Sequence, residues 1–189
     1  MSLLDQVRRR FARAPEPVRT AVAGSGDPDE RVLAWAALTG GEGWLVATSR
    51  GLRRIGSQGQ GSGVDLLPWH EVGSARWSAT ADGGTFAITP LAEVEPGVQA
   101  REPVRRYALT DPGELPAVVR RRVDHTVVAS TRSPLPGGGG VLLVARRIPG
   151  QAAREWTLVF DDDAQRSDPE ARKAARQKLA DVVAAEQPE

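Results

Sequence analysis

The chain has 189 residues, a length that suits one medium-sized domain, or a smaller domain with an extension, and that allows a substantial buried core. Charged residues make up 26% and hydrophobic residues 40%, which is the balance of a globular protein rather than of a disordered or fibrous one. The formal net charge of +1 creates no overall field toward polyanions, so we expect no specific nucleic-acid partner. The lack of cysteine excludes disulfides, thiolate nucleophiles and zinc sites built from cysteine.

Composition and hydropathy also indicate a source and a location. Of the 25 basic residues only Lys173 and Lys178 are lysine, and with the abundance of Ala, Gly, Pro and Val this bias indicates a GC-rich bacterial genome. The longest clean apolar run, VLLVA at 141–145, is far shorter than the ~20 residues that a membrane span needs. The N terminus places its basic residues after a short apolar run, the reverse of a secretory signal. We therefore expect a cytoplasmic protein.

The first 29 residues are predicted to form a basic amphipathic helix and a linker. Leu4, Val7 and Phe11 recur at helical spacing within residues 2–13. The motif APEP at 14–17 is predicted to end this helix, because proline cannot continue it. The basic residues of the helix are Arg8, Arg9, Arg10 and Arg13.

From residue 31 the pattern changes to short segments of period two, which predict strands. Pro96 and Pro103 predict a loop before the last of these strands. The segment DPGELPAVVRRRV at 111–123 predicts a helix, whose buried side is expected to consist of Leu115, Val118, Val119 and Val123. The seven predicted strands are 31–38, 43–49, 51–56, 64–72, 74–80, 85–89 and 105–110.

The remainder of the chain, 125–189, predicts three strands and a final helix. Pro169 suits the first turn of that helix, after a cap at Ser167 or Asp168. The residues expected to line one side of the helix are Ala171, Ala175, Leu179 and Val182.

Seven short strands followed by one helix, with the motifs GWLVATSRGLRRIG and LPWHEVGSARW, resemble the bacterial pleckstrin-homology-like (PH-like) families over roughly residues 30–124. The resemblance implies an α+β fold: a strongly bent antiparallel sheet, or partly open barrel, capped by a helix. We expect 30–124 to form this domain and 125–189 to add a β-β-β-α extension, either as a separate unit or in one continuous core.

A PH-like fold carries ligands or partners more often than it performs chemistry, although a fold alone does not fix a function. Phosphoinositide-binding members of the family carry Lys and Arg in the loop between the first two strands. Here that loop reads LTGGEG, with Glu42 and no basic residue, which argues against this ligand. We therefore expect a non-enzymatic binding or scaffolding protein that holds an as yet unidentified protein partner, and that self-associates through an exposed strand edge.

Two groups of side chains are candidates for binding. Trp69, His70, Arg76 and Trp77 suit a partly open strand edge, because Trp and Arg dominate binding hot spots. Packing in the core is the alternative for both tryptophans, and it is the reading that we favour for Trp44 and Trp156.

The second group is Arg8, Arg9 and Arg10 on the N-terminal helix, which carries a net charge of about +3 and suits weak association with an anionic membrane surface. Packing of the helix on its own domain is the alternative. The paired arginines at 53–54 and 105–106 are not expected to form one stripe, because neighbouring side chains on a strand point to opposite faces.

We predict no catalytic residue, metal ligand or cofactor; an enzyme with an unfamiliar site around 161–163 and His125 is the alternative. Asp161, Asp162 and Asp163 could supply oxygen ligands, but they lack the spacing of a calcium loop and suit a solvated loop better. His70 and His125 show no metal-ligand spacing and no nucleophile motif. The segment Thr48–Arg50 is predicted to be a turn between strands, with an anion-binding role for Arg50 as the alternative.

Overall fold

The computed structural model describes residues 13–57, 66–149 and 154–186. The protein is a mixed α+β protein, and its described residues divide into two compact units, one within 1–89 and 104–123 and the other within 90–103 and 124–189. The helices are α1 (Glu16–Ala23), α2 (Leu115–Thr126), α3 (Asp163–Ser167) and α4 (Pro169–Glu186). The strands are β1 (Val32–Ala37), β2 (Gly43–Thr48), β3 (Gly51–Gly56), β4 (Leu66–Pro68), β5 (Val72–Thr80), β6 (Gly83–Glu95), β7 (Val98–Arg101), β8 (Arg105–Leu109), β9 (Val127–Pro134), β10 (Gly140–Arg147) and β11 (Arg154–Phe160).

The first unit contains two antiparallel sheets. One has the strand order β1-β2-β3-β4, and in the other β6 lies between β5 and β8. A bridge between Leu38 and Leu109 links the end of the first sheet to the second. The core between them includes Leu45 and Leu52 from the first sheet, Phe86 and Ile88 from the second, and Leu115 from α2. Six of the seven strand segments predicted from 31 to 110 appear as strands in this unit, together with the helix predicted after them. The strand predicted at 64–72 is only partly correct, because Leu66–Pro68 form a strand but Trp69–Glu71 form a short 3₁₀ turn.

Strand β2 is buried on both faces, which explains its unbroken apolar sequence. Leu45 and Ala47 point into the core just described, whereas Val46 points to the other side of the sheet. There it packs with Ile55 of β3 against Val18 of α1, a residue with no exposed surface. Helix α1 therefore covers the outer face of the first sheet.

Helix α1 was not predicted, because Pro15 and Pro17 suggested an end rather than a beginning. In the structure Pro15 occupies the N-cap position and Pro17 lies in the first turn. The first turn of a helix has no intrahelical acceptors for its N–H groups, so a proline there removes no hydrogen bond. A proline motif that is predicted to end a helix can therefore begin one.

The second unit contains one sheet in the order β6-β7-β11-β10-β9, to which β6 contributes the residues from Pro90 onward. The pairing of β7 with β11 is parallel and the other pairings are antiparallel. Val141, Leu143 and Leu158 point from this sheet toward α4. The buried side of α4 is the predicted one: Ala171 and Ala175 are fully buried, and Leu179 and Val182 pack on the same core.

The prediction of a loop around Pro96 and Pro103 is wrong, because most of this segment is a β-hairpin. Strand β6 continues to Glu95 and pairs with β7 across a turn at Pro96 and Gly97, where Gly97 has a φ of 74°. Both prolines lie just outside the paired residues, so neither removes a hydrogen bond from the ladder. The two prolines therefore lie beyond the ends of β6 and β7. Their presence does not exclude strand structure in the residues before and between them.

Candidate functional site

Trp69 and His70 lie in a short 3₁₀ turn, Trp69–Glu71, between β4 and β5. The Trp69 ring is only 3% exposed and belongs to the core of the first unit. Its indole N–H donates a hydrogen bond to the carbonyl oxygen of Thr48 at 3.1 Å. The imidazole of His70 is 20% exposed and lies 3.7 Å from the carboxylate of Glu71. Of the two alternatives for Trp69, the structure therefore places the side chain in the core.

Arg76 and Trp77 point to opposite faces of β5. Trp77 is half-buried, packs on the core of the first unit and meets the ring of Phe86 at a centroid distance of 6.5 Å and a tilt of 58°. Arg76 lies in an exposed row with Ser74 and Ser78. The structure thus brings Arg76 to the surface and leaves Trp77 as a half-buried residue at the edge of the core. The four side chains do not form a single patch.

The ring of Trp77 fixes the identity of Gly84. A Cβ on Gly84 would collide with the carbonyl oxygen of Ser78 and with the Trp77 ring, and the φ of Gly84 is 158°. We expect Gly84→Ala to destabilise the first unit by about 1–3 kcal/mol, because neither the backbone oxygen nor the packed ring can move away freely. Urea unfolding followed by tryptophan fluorescence measures this loss. An unchanged midpoint would show that both the Ser78 carbonyl and the Trp77 ring can move to accommodate a methyl group.

Strand β5 is an edge strand. Among the described residues it pairs with β6 and with no other strand. It runs for nine residues and contains neither proline nor an acidic residue. Because the carbonyl of Ser78 points toward β6, and the N–H and C=O of one residue in a strand point the same way, the N–H of Ala79 points away from the sheet. One side of β5 therefore offers backbone groups to another strand.

The turn after β2 is held by the hydroxyl of Thr48, a fully buried side chain. The oxygen accepts the backbone N–H groups of Arg50 at 3.1 Å and Gly51 at 3.2 Å. Arg50 itself turns away to bind the carboxylate of Asp27 at 2.5 Å, and this hydrogen bond lowers the pKa of Asp27. Thr48–Arg50 is therefore a turn, as predicted, and Arg50 is engaged with a carboxylate of the same chain.

The same hydroxyl lies 2.6 Å from the carboxylate of Glu30, whose side chain has no exposed surface. Arg53 of β3 binds this carboxylate with two hydrogen bonds, each 2.8 Å long. Burial alone would raise the pKa of Glu30, but hydrogen bonds from Arg53, Thr48 and Ser25 together hold it below its ordinary value. The ion pair between Arg53 and Glu30 is buried and bidentate. Its geometry stabilises the fold and leaves no room for a ligand at the carboxylate.

Two arginines of the first unit lie opposite core residues in their strand pairs, although the side chains of both arginines are exposed. Arg54 of β3 lies directly opposite Leu45, and Arg105 of β8 lies directly opposite Ile88. Residues opposite one another in an antiparallel pair share a face, and both Leu45 and Ile88 belong to the core. Tyr107, opposite Phe86, lies in the same row as Arg105. The two members of each arginine pair, 53–54 and 105–106, therefore lie on opposite faces of their strand, and Arg54 and Arg105 share a face with core residues while their side chains stay exposed.

Arg54, Arg105 and Tyr107 line one cavity of about 190 Å³. Its apolar lining comes from β2, β3 and β4, and its polar lining from β3 and β8. The lining residues are Leu45, Leu52, Leu67, Arg53, Arg54, Arg105 and Tyr107. Sequence reasoning missed this site. An arginine in an otherwise apolar period-two row was the available signal, but only the fold brings β3 and β8 together.

The three consecutive aspartates take separate structural roles. Asp161 binds Arg132 at 2.6 Å, Asp162 accepts the N–H of Gln165 at 2.8 Å as the N-cap of α3, and Asp163 lies in the first turn of that helix. Among the described residues, no three His, Asp or Glu side chains gather closely enough to hold a metal ion.

The basic N-terminal prediction falls largely outside the structure. Arg8, Arg9 and Arg10 are not among the described residues. In the part of the chain that the structure does describe, no helix has the length and apolar character required to cross a lipid bilayer.

Comparison with known proteins completes the description of these sites. No protein-family model, no curated protein and no solved structure matches this chain.

Proposed function

We propose that this protein is a non-enzymatic binding module with a PH-like first unit, and that it holds an extended segment of a protein partner along the edge of β5. The PH-like reading is supported by two antiparallel sheets, β1-β2-β3-β4 and β5-β6-β8, followed in sequence by α2. The observation that carries the binding proposal is the nine-residue edge of β5, which is paired on one side only among the described residues.

Strand addition suits this edge because its backbone groups supply affinity and its side chains supply selectivity. Arg76 stands in the exposed row and favours an acidic side chain on the added strand. The half-buried Trp77 stands in the other row and provides an aromatic anchor beside the edge. Strand β9 is also an edge, but Arg132 in its outer row already pairs with Asp161.

A pair of proline variants tests the proposal without knowledge of the natural partner. Ala79→Pro removes an N–H that points away from the sheet, so we expect the fold to remain while strand addition is lost. Ser78→Pro removes an N–H that points toward β6, so we expect a lower melting temperature. Ala79→Val is the matched control, since it keeps the N–H and suits a strand.

The probe is a random peptide library displayed on phage and selected on the wild-type protein. Selected peptides should slow hydrogen exchange of the β5 amides, bind Ala79→Val as they bind the wild type, and lose at least tenfold in affinity for Ala79→Pro. Peptides that bind Ala79→Pro unchanged, or a selection that yields no binder, would refute strand addition at β5.

A further inference from the structure

Arg146 of β10 is a buried arginine that no carboxylate of the described residues neutralises. The residue is only 7% exposed, and its side chain makes one hydrogen bond within the described part of the chain, from Nη1 to the hydroxyl oxygen of Thr126 at 3.0 Å. Its Nε–H is enclosed and has no acceptor there. We propose that the Nε–Nη2 edge of this guanidinium binds the carboxylate of a small organic acid. Binding at this site does not require a protein partner at β5.

The burial of Arg146 has a cost that its single neutral partner does not offset. Burial lowers the pKa of Arg146, and no nearby carboxylate raises it again. The side chain nevertheless stays protonated, as arginine does in proteins, so a full positive charge remains. A hydroxyl compensates such a charge poorly. An anion in contact with the guanidinium would offset much more of the desolvation cost.

Glu155 of β11 is the acidic residue that the strand register places beside Arg146. The two residues lie directly opposite one another and share a face of the sheet. Glu155 is half-buried, yet the two side chains form no ion pair. The charge of Arg146 is therefore left for an anion from outside the chain.

A β-bulge next to Arg146 determines which edge of the guanidinium is available. The register of β9 against β10 shifts between Ala145 and Arg146, so Val128 is an extra residue in β9. Bulges re-aim side chains and are frequent beside functional sites. Here the side chain of Thr126, just before β9, accepts the hydrogen bond from Nη1. The Nε–Nη2 edge remains, and arginine binds carboxylates through two parallel N–H bonds.

The packing around Arg146 limits the size of the ligand. Val144, Thr157 and Val159 lie on the same face of the sheet as Arg146, and each of the three is at most 4% exposed. Because so little of Arg146 reaches the surface, the site admits a compact acid but not an aromatic ring. Formate and acetate have the required charge and size, whereas benzoate should be excluded.

The experiment titrates the full wild-type chain with sodium formate and sodium acetate, with chloride and benzoate at the same ionic strength as controls. The readout is the NMR signal of the Arg146 Nε–H, which is assigned by its loss in Arg146→Lys. We expect formate and acetate to shift this signal to saturation and to bind about tenfold more tightly than either control. A signal that does not respond, or that responds equally to chloride, would overturn the proposal in the wild-type protein alone.

Arg146→Met tests whether the arginine serves a ligand or the fold. It removes the buried charge and keeps an unbranched side chain, so we expect the melting temperature in chloride to rise by about 2–4 °C and the stabilisation by formate to disappear. The matched control is Arg147→Met, since Arg147 is the exposed neighbour on the other face of β10. It should bind formate within about twofold of the wild type. Equal stabilisation of Arg146→Met and the wild type by formate, or a lower melting temperature of Arg146→Met in chloride, would contradict a ligand site.

Glu155→Gln distinguishes an external acid from a carboxylate of the same chain. If Glu155 does not serve Arg146, this variant should bind formate within about twofold of the wild type. Formate affinity that rises by about tenfold in Glu155→Gln would show that the carboxylate of Glu155 competes for the guanidinium, and would refute an external ligand.

Discussion

Replacing Arg53 with methionine should lower the free energy of unfolding of the first unit by about 3–5 kcal/mol at neutral pH. The variant keeps an unbranched side chain of similar reach but leaves the carboxylate of Glu30, which has no exposed surface, without its guanidinium. Removing one partner leaves a buried charge without compensation, which costs several kcal/mol of stability. By contrast, replacing both partners with apolar residues of the same shape changes the stability little. Urea unfolding followed by tryptophan fluorescence measures the loss. Four of the five tryptophans, Trp35, Trp44, Trp69 and Trp77, lie in the first unit.

The loss should depend on pH. In the wild type the pKa of Glu30 is held below its ordinary value of 4.5, so its stabilising contribution is complete above that value and disappears as the pH falls through the folded pKa. In Arg53→Met burial should instead raise the pKa of Glu30, and the variant should gain stability relative to the wild type on acidification. The difference in stability between the two proteins should therefore begin to shrink above pH 4.5, as Glu30 of the variant takes up a proton, and should shrink further below that value as Glu30 of the wild type does.

Two controls identify the buried charge as the cause. Arg54→Met changes the adjacent arginine, whose side chain is 49% exposed, and should cost no more than about 1 kcal/mol. The double variant Glu30→Leu with Arg53→Met removes both charges and should recover part of the loss. Equal losses in Arg53→Met and Arg54→Met, or a loss that does not change with pH, would contradict this account of the pair.

Trp69→Ala should destabilise the first unit by a similar amount, about 3–5 kcal/mol, because it leaves a cavity in the core where Trp69 is only 3% exposed. Trp69→Phe fills most of that space but leaves the carbonyl oxygen of Thr48 without the indole N–H, and should cost about 1–3 kcal/mol. Chemical denaturation compares these two variants with Trp77→Ala, which changes a half-buried ring at the edge of the same core.

The Trp69 series also decides between the two readings of this residue. A core residue loses stability on truncation, whereas a binding residue loses affinity while stability stays near that of the wild type. A Trp69→Ala variant with an unchanged unfolding midpoint and no binding of β5-directed peptides would show that Trp69 acts at a partner surface after all.

Local patterns in the sequence predicted most of the elements but not their long-range partners. Alternation in GWLVATS predicts β2, and the proline and alanine spacing of the last helix predicts α4, because each signal lies within a few residues. The hairpin of β6 and β7 was missed because β7 is short and is completed by β11, about sixty residues later. A local pattern carries no information about such a partner.

The candidate sites show the same limit. Sequence periodicity correctly predicts that Arg53 and Arg54 lie on opposite faces of their strand, and that Arg105 and Arg106 do so as well, because neighbouring side chains on a strand point to opposite faces. It cannot show that arginines of both pairs line one cavity, since that requires the packing of β3 and β8 around a common core. Trp69 illustrates the converse: a proline and a histidine beside it suggested an open edge, yet the ring lies in the core and its N–H binds the carbonyl oxygen of Thr48. That acceptor lies 21 residues earlier in the chain, so no local pattern indicates it.

Strand β6 begins in one unit and ends in the other, so residues 90–103 interrupt the first unit before β8 and α2 complete it. During synthesis on the ribosome, this hairpin emerges well before β11, the strand that it joins in parallel. A gene fragment that stops after α2 would therefore encode a hairpin with an exposed backbone edge, prone to pair with other chains. Recombinant work on the first unit alone should replace residues 90–103 with a short turn rather than simply truncate the gene.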